Sequence, residues 1–166
     1  KRDRCPFEKG SHSIGGSAFI ADRSLVLPDS LCTAIENQFS CGLVPSPHEN
    51  WQVEEIAIAV DCLQIPALLC RQTNLLKVAA MSRVPINVKK GQFMAPHDMQ
   101  NVVDKLKGFG NGKILLTERG TSFGYNNLVS DFRSIPIMGR TECPVIFDAT
   151  HSCQSPGSMG NSSGGD

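Results

Sequence analysis

Several polar residues stand at matching places along the chain. Gln64, Lys89-Lys90, Glu118-Arg119, Asp148 and His151 each lie within or just past a short apolar run. Cations at such places suit phosphate or carboxylate. A guanidinium offers a two-pronged fork and an ammonium a point charge. A lysine at the end of a run is also a common solvated loop residue, and Lys90 is read that way. Lys89 and Arg119 occupy equivalent positions of their own units, so both readings stay open for them. His151 has the chemistry of an acid/base or a metal ligand, or of a structural loop histidine. His48-Glu49 either faces the same opening or caps the next helix. His97 is read as part of a helix first turn, and His12 as part of a loose N-terminus. The turn-rich stretch Phe123-Gly124-Tyr125-Asn126-Asn127 either covers a ligand or packs; Gly124 gives it φ freedom. Residues 154–165 fit a lid or a frayed end. Trp51 opens a helix and is read as packing.

Regular elements must position these groups. Val53, Ile56, Ala57 and Val60 recur three and four apart, which makes one face of a helix over Gln52–Val60. Cys62–Ala67 reads as a short buried strand. Thr73 is an N-cap candidate for a helix through Met81. Pro85–Val88 is a strand ending at Lys89-Lys90. Pro96-His97-Asp98 opens a helix with Met99, Val102, Val103 and Leu106 on one side, closed by Gly108 and Gly110. Lys113–Thr117 is a strand, Arg133–Gly139 a short helix or turn, and Pro144–Asp148 a last strand. Before them, 1–47 is irregular, with strand candidates at Ser17–Ile20 and Leu25–Leu27 and a helix candidate at Asp29–Phe39. Pro156–Asp166 is Gly/Ser-rich and reads as a mobile loop.

Alternating strands and helices with short connectors predict a parallel α/β sheet. The strands read as apolar throughout, as under helices on both faces. A doubly wound sheet and a β/α barrel both fit. The polar residues fall at successive strand ends, where barrel enzymes place their chemistry. No G-x-G-x-x-G marks a dinucleotide-binding turn, so the barrel reading leads.

Composition sets the outer bounds. The 166 residues give about one domain. Sixteen Lys and Arg balance sixteen Asp and Glu, which argues against a nucleic-acid or membrane-surface partner. No apolar run reaches the length of a membrane span, and no apolar segment of a secretory signal follows the basic start. The seven cysteines include no C-x-x-C and are read as free, buried thiols of a reducing compartment, the cytoplasm.

Four sequence words carry a resemblance: Leu63-Gln64-Ile65-Pro66-Ala67-Leu68-Leu69-Cys70-Arg71-Gln72-Thr73, Ile86-Asn87-Val88-Lys89-Lys90-Gly91-Gln92-Phe93, Thr117-Glu118-Arg119-Gly120-Thr121-Ser122-Phe123-Gly124-Tyr125-Asn126-Asn127-Leu128 and Phe147-Asp148-Ala149-Thr150-His151-Ser152. In this order they resemble the 3-deoxy-D-manno-octulosonate 8-phosphate synthases, or 2-dehydro-3-deoxyphosphooctonate aldolases. The heptulosonate 7-phosphate synthases share the E-R-G and the strand-end lysine but lack the R-Q-T and F-G-Y-N words. The resemblance implies a (β/α)8 TIM barrel, a cytoplasmic homotetramer, and condensation of phosphoenolpyruvate with D-arabinose 5-phosphate in lipopolysaccharide biosynthesis. It implies that Lys89 and Arg119 grip the phosphoenolpyruvate phosphate, with Gln64 and Ala67 lining that pocket. His151 would stand beside the reacting carbons, and would ligate a divalent metal ion in metal-dependent members. Arg71 would contact a substrate phosphate, Gln154 would belong to the loop adjoining His151, and His48 would lie at the end of the third strand near the pentose phosphate.

The sequence also departs from the family pattern. The K-A-N-R-S-S stretch that holds the pentose phosphate is not found. The family's G-P-C or G-P-N reads Asp22-Arg23-Ser24, and its T-D-x-H-E reads Pro45-Ser46-Pro47-His48-Glu49. Of four metal ligands only His151 remains. The expected fold is therefore a partial barrel in one domain: strands 4–7 clear in a core over 48–155, strands 1–3 degenerate within 1–47, and strand 8 absent. The expected turnover is nil or nearly so. A heptulosonate-type enzyme and a non-catalytic anion-binding remnant are the alternatives.

Overall fold

The computed structural model describes residues 45–165. The strands expected at Ser17–Ile20 and Leu25–Leu27, the helix at Asp29–Phe39, the Asp22-Arg23-Ser24 stretch, His12, Cys5, Cys32 and Cys41 lie outside the described residues.

Helix α1 spans Gln52–Ala59, with Glu54 and Glu55 in its first turn, where the helix dipole favours acids. The Gln52 side chain caps the turn before it: Oε1 accepts from the backbone N–H of His48 at 2.8 Å and of Glu49 at 2.9 Å. Strand β1 (Leu63–Ile65) leads through a 3-10 turn, Ala67–Leu69, to α2 (Thr73–Met81). Strand β2 (Ile86–Lys89) leads through a second 3-10 turn, Pro96–Asp98, to α3 (Met99–Gly108). Strand β3 (Ile114–Glu118) is followed by a hairpin, β4 (Thr121–Ser122) with β5 (Leu128–Val129), and then by α4 (Ser134–Gly139). Strand β6 (Val145–Phe147) precedes α5 (Ala149–Ser152).

The four long strands form one parallel sheet in the order β1-β2-β3-β6. Spatial order follows chain order. A doubly wound sheet reverses direction at a switch point; among the described residues none occurs. No closed barrel is formed by the described residues either.

The strands are two-faced, contrary to the expectation of apolar strands under helices on both sides. Leu63, Ile65, Ile86, Val88, Ile114 and Leu116 join one core with Val53 of α1, Leu75, Leu76, Ala79 and Ala80 of α2, Met99, Val102, Val103 and Leu106 of α3, and Met138 of α4. Each fully buried aliphatic chain there contributes roughly 1.5–3 kcal/mol. The alternate positions Gln64, Asn87, Lys89 and Thr117 point the other way and are buried polar groups. In such short strands the eye counts apolar letters, and a buried Asn or Thr passes unnoticed.

Other expectations shift in detail. Gln72, not Thr73, is the N-cap of α2. Thr73 begins the helix, and its hydroxyl accepts from Lys105 Nζ of α3 at 2.8 Å. Trp51 is 66% exposed, so it does not pack. Residues 123–127 form the hairpin tip, with positive φ at Gly124 and Asn126 and Phe123 N–H donating to Asn127 O at 3.1 Å. The segment read as a loop carries a short antiparallel pairing, β7 (Gln154–Ser155) with β8 (Gly164–Gly165). Cys62, Cys70, Cys143 and Cys153 are free thiols, but only Cys62 and Cys70 are buried; Cys143 is half-buried and Cys153, beyond the end of the last helix, is exposed, and burial pushes the Cys62 thiol up to about 11. Among the described residues no helix is long and apolar enough to cross a membrane.

Candidate functional site

Strand alternation decides which side chain of each strand-end pair reaches the polar face. Lys89 is paired in register with Thr117, and Thr117 with Ile146. Lys89, Thr117, Arg119 and Asp148 therefore fall on the face away from the helices, whereas Lys90 and Glu118 fall on the helix side.

On the polar face a hydrogen-bond chain crosses three strands. Gln64 Nε2 donates to Ser46 Oγ at 2.9 Å, Asn87 Nδ2 to Gln64 Oε1 at 3.2 Å, and Thr117 Oγ1 to Asn87 Oδ1 at 2.7 Å. Buried polar groups paired in this way specify one arrangement; a single unpaired partner would cost about 1–3 kcal/mol. The Gln64 carboxamide is thus held with both ends engaged.

Above this floor lies a second network. Asp148 Oδ2 is 3.3 Å from Lys89 Nζ and 2.7 Å from His151 Nδ1. Asp148 Oδ1 accepts the backbone N–H of His151 at 3.1 Å, closing the first turn of α5. Burial pushes the Asp148 carboxyl upward, but that N–H and the Lys89 and His151 charges outweigh it, and its pKa stays below the ordinary carboxylate value. His151 Nδ1 faces the Asp148 carboxylate, which fixes the orientation of the ring. Arg119 Nη2 donates to His151 O at 3.2 Å and to Gln154 Oε1 at 3.0 Å.

These groups surround one cavity of about 400 Å³, lined by Ser46, His48, Gln64, Pro66, Ala67, Leu68, Lys89, Gln92, Arg119 and His151. Lys89, 3% exposed, and Arg119 are buried cations on its wall. Asp148 offsets one of these charges, so Lys89, Arg119 and Asp148 together leave a net positive charge in a partly desolvated recess, where charge interactions are stronger than in water.

Of the residues singled out in the sequence, Gln64, Ala67, Lys89, Arg119, His151 and His48 line this cavity. Gln154 reaches it through Arg119. Arg71 is exposed and does not line it. Lys90 is the clear correction. It is fully buried, not solvated, because strand alternation turns it under the neighbouring loops. Asp148 was noted in the sequence but given no role, and Ser46 and Gln92 were missed. Gln92 follows Lys90-Gly91 in a loop, where no periodicity marks a side chain's direction.

A divalent metal ion does not fit the described residues. No three His, Cys, Asp or Glu side chains converge among them. His151 and Asp148 bind each other, and two donors fall short of the three protein ligands typical of a catalytic zinc site.

A chain-ordered parallel βα sheet with a cation-walled cavity at the carboxyl ends of its strands defines an α/β protein of the βα-repeat class. The DAHP synthetase I family matches residues 22–163, and the chain belongs to that family. Among curated proteins it is similar to the 2-dehydro-3-deoxyphosphooctonate aldolase of Bradyrhizobium sp. (strain BTAi1), 55% identical over 162 residues, covering 96% of this chain and 55% of the relative. It is similar to the protein of the same name from Rickettsia canadensis, 58% identical over 132 residues, covering 80% of this chain and 48% of the relative. Nitrobacter hamburgensis has another so named, 54% identical over 163 residues. The chain spans about half the length of the curated relatives it matches.

Proposed function

We propose that the cavity is the phosphoenolpyruvate half of the active site of a 3-deoxy-8-phosphooctulonate synthase, the activity for which the similar proteins are named. The observation that carries this reading is the convergence of Lys89, Arg119, Gln64, Ala67 and His151 on one recess. In this reaction carbon 3 of phosphoenolpyruvate attacks the aldehyde of D-arabinose 5-phosphate. Carbon 2 takes up water, and the carbon 2–oxygen bond to phosphate breaks, releasing inorganic phosphate. Lys89 and Arg119 hold the phosphate, and Gln64 and Ala67 form the wall beside it. His151 moves a proton at Nε2 while Asp148 fixes the ring. Most of the rate effect comes from positioning and from fixed charge. His48 and Gln154 stand at the rim, and Arg71 has no part in this pocket. A homotetramer in the cytoplasm, with no nucleic-acid or membrane partner, belongs to the same proposal.

Calorimetric titration of the 166-residue chain with phosphoenolpyruvate tests it. The expected result is saturable 1:1 binding, weakened on the order of tenfold or more by Arg119→Ala, since a charge-assisted pair contributes about 1.5–3 kcal/mol. Phosphate release with arabinose 5-phosphate is expected at background, because the K-A-N-R-S-S stretch is absent from the sequence. No heat with phosphoenolpyruvate, or binding indifferent to Arg119, contradicts the proposal. Turnover with erythrose 4-phosphate in place of the pentose would move it to a heptulosonate synthase.

A further inference from the structure

Lys90 and Glu118 take no part in the cavity, yet each is the chain neighbour of a residue that does. They meet on the helix side of the sheet, where Lys90 Nζ lies 3.5 Å from Glu118 Oε1, both side chains almost fully buried. The Lys90 ammonium also lies 3.1 Å from Thr121 Oγ1, 3.4 Å from Gly120 O, 3.4 Å from Met94 O and 3.3 Å from Gly91 O. It thus gathers the loop after β2, which carries Gln92, and the loop after β3, which begins at Arg119. Glu118 Oε1 accepts the Gly120 N–H at 2.7 Å, across Arg119 itself. Gly120 has φ +93, so the chain turns sharply at this point.

From this geometry we infer that the Lys90–Glu118 pair is a positioning device: it fixes the two loops from behind so that Lys89 and Arg119 present their charges to one anion. A buried ion pair is a poor source of stability, because desolvation offsets the attraction. Burial lowers the Lys90 pKa, and Glu118 opposes that shift. Glu118 Oε2 has no hydrogen-bond partner, so the pair is not optimised for stability alone. What it does accomplish is directional: four oxygens from two loops and the Glu118 carboxylate converge on one ammonium, and Gln92 and Arg119, which lie between those groups in the chain, line the cavity.

This inference rests on the proposed phosphoenolpyruvate site, and its test separates the two. Glu118→Gln alone leaves a buried cation without its counter-charge and is expected to unfold easily. The second variant, Lys90→Met with Glu118→Gln, removes both charges and keeps an acceptor for the Gly120 N–H. The full chain and both variants are compared by thermal unfolding and by phosphoenolpyruvate calorimetry. For the double variant the expected result is a melting temperature near that of the parent chain with affinity weakened on the order of 10- to 100-fold, the scale of a small misplacement of binding groups. Unchanged affinity in a folded double variant overturns the inference. So does a double variant that does not fold, because the pair then serves the fold alone. If the parent chain fails to bind phosphoenolpyruvate, the site proposal falls, and a crystal structure of the double variant decides the positioning question. Arg119 leaving His151 O and Gln154 Oε1 supports positioning; Arg119 unmoved refutes it.

Discussion

Asp148 is the residue on which the others turn. It touches a lysine from the end of β2 and a histidine from α5, and so ties the second strand of the sheet to the fourth. Its sign with pH follows from its lowered folded pKa. A depressed carboxylate adds stability above the unfolded value of about 3.9, and that contribution is lost as pH falls through the lower folded value. Asp148→Asn keeps the shape and removes the charge. At neutral pH it is expected to cost about 1–3 kcal/mol, the scale of a lost charge-assisted contact. Urea midpoints at pH 7 and pH 3 should show the gap between parent and variant closing at the lower pH. An equal gap at both would mean that the Lys89 and His151 contacts contribute nothing through charge.

At the scale of elements, the βα unit explains both the core and the site. One face of β1, β2 and β3 is apolar and packs under helices; the other carries Gln64, Asn87, Lys89 and Thr117, of which Gln64 and Lys89 line the cavity. Leu116 lies at the centre of β3, fully buried in the core. Leu116→Ala is expected to cost about 2–5 kcal/mol by cavity creation, read as a shift in denaturant midpoint without a change in slope. A loss below about 0.5 kcal/mol, the scale of an ordinary surface substitution, would mean that this core is not packed as described. Helices α2 and α3 and strands β2 and β3 were legible in the sequence because Leu75, Leu76 and Ala79, or Ile86 and Val88, carry the period of their element. The direction of Lys90 was not legible. Strand alternation does assign Lys89 and Lys90 to opposite faces, but it does not say which face has loops deep enough to bury an ammonium. The Gln64–Asn87–Thr117 chain was hidden for a related reason. A polar letter inside an apolar run carries no mark of its partner on the neighbouring strand. The hairpin over 121–129 was visible only as a turn, since its strands are two residues each.

For the whole molecule, chain-ordered parallel strands place successive strand ends side by side, and this alone lets residues as far apart in sequence as Gln64 and His151 share a wall. We propose that these strand ends form one site for a ligand bearing two anionic groups. The most direct measurement is a crystal structure of the chain grown with saturating phosphoenolpyruvate. The ligand is expected in the cavity, with its phosphate in hydrogen-bonding distance of Lys89 Nζ and the Arg119 guanidinium and its carbon end towards His151. Clear density for the empty cavity at saturation, or for the ligand bound elsewhere on the surface, would contradict it.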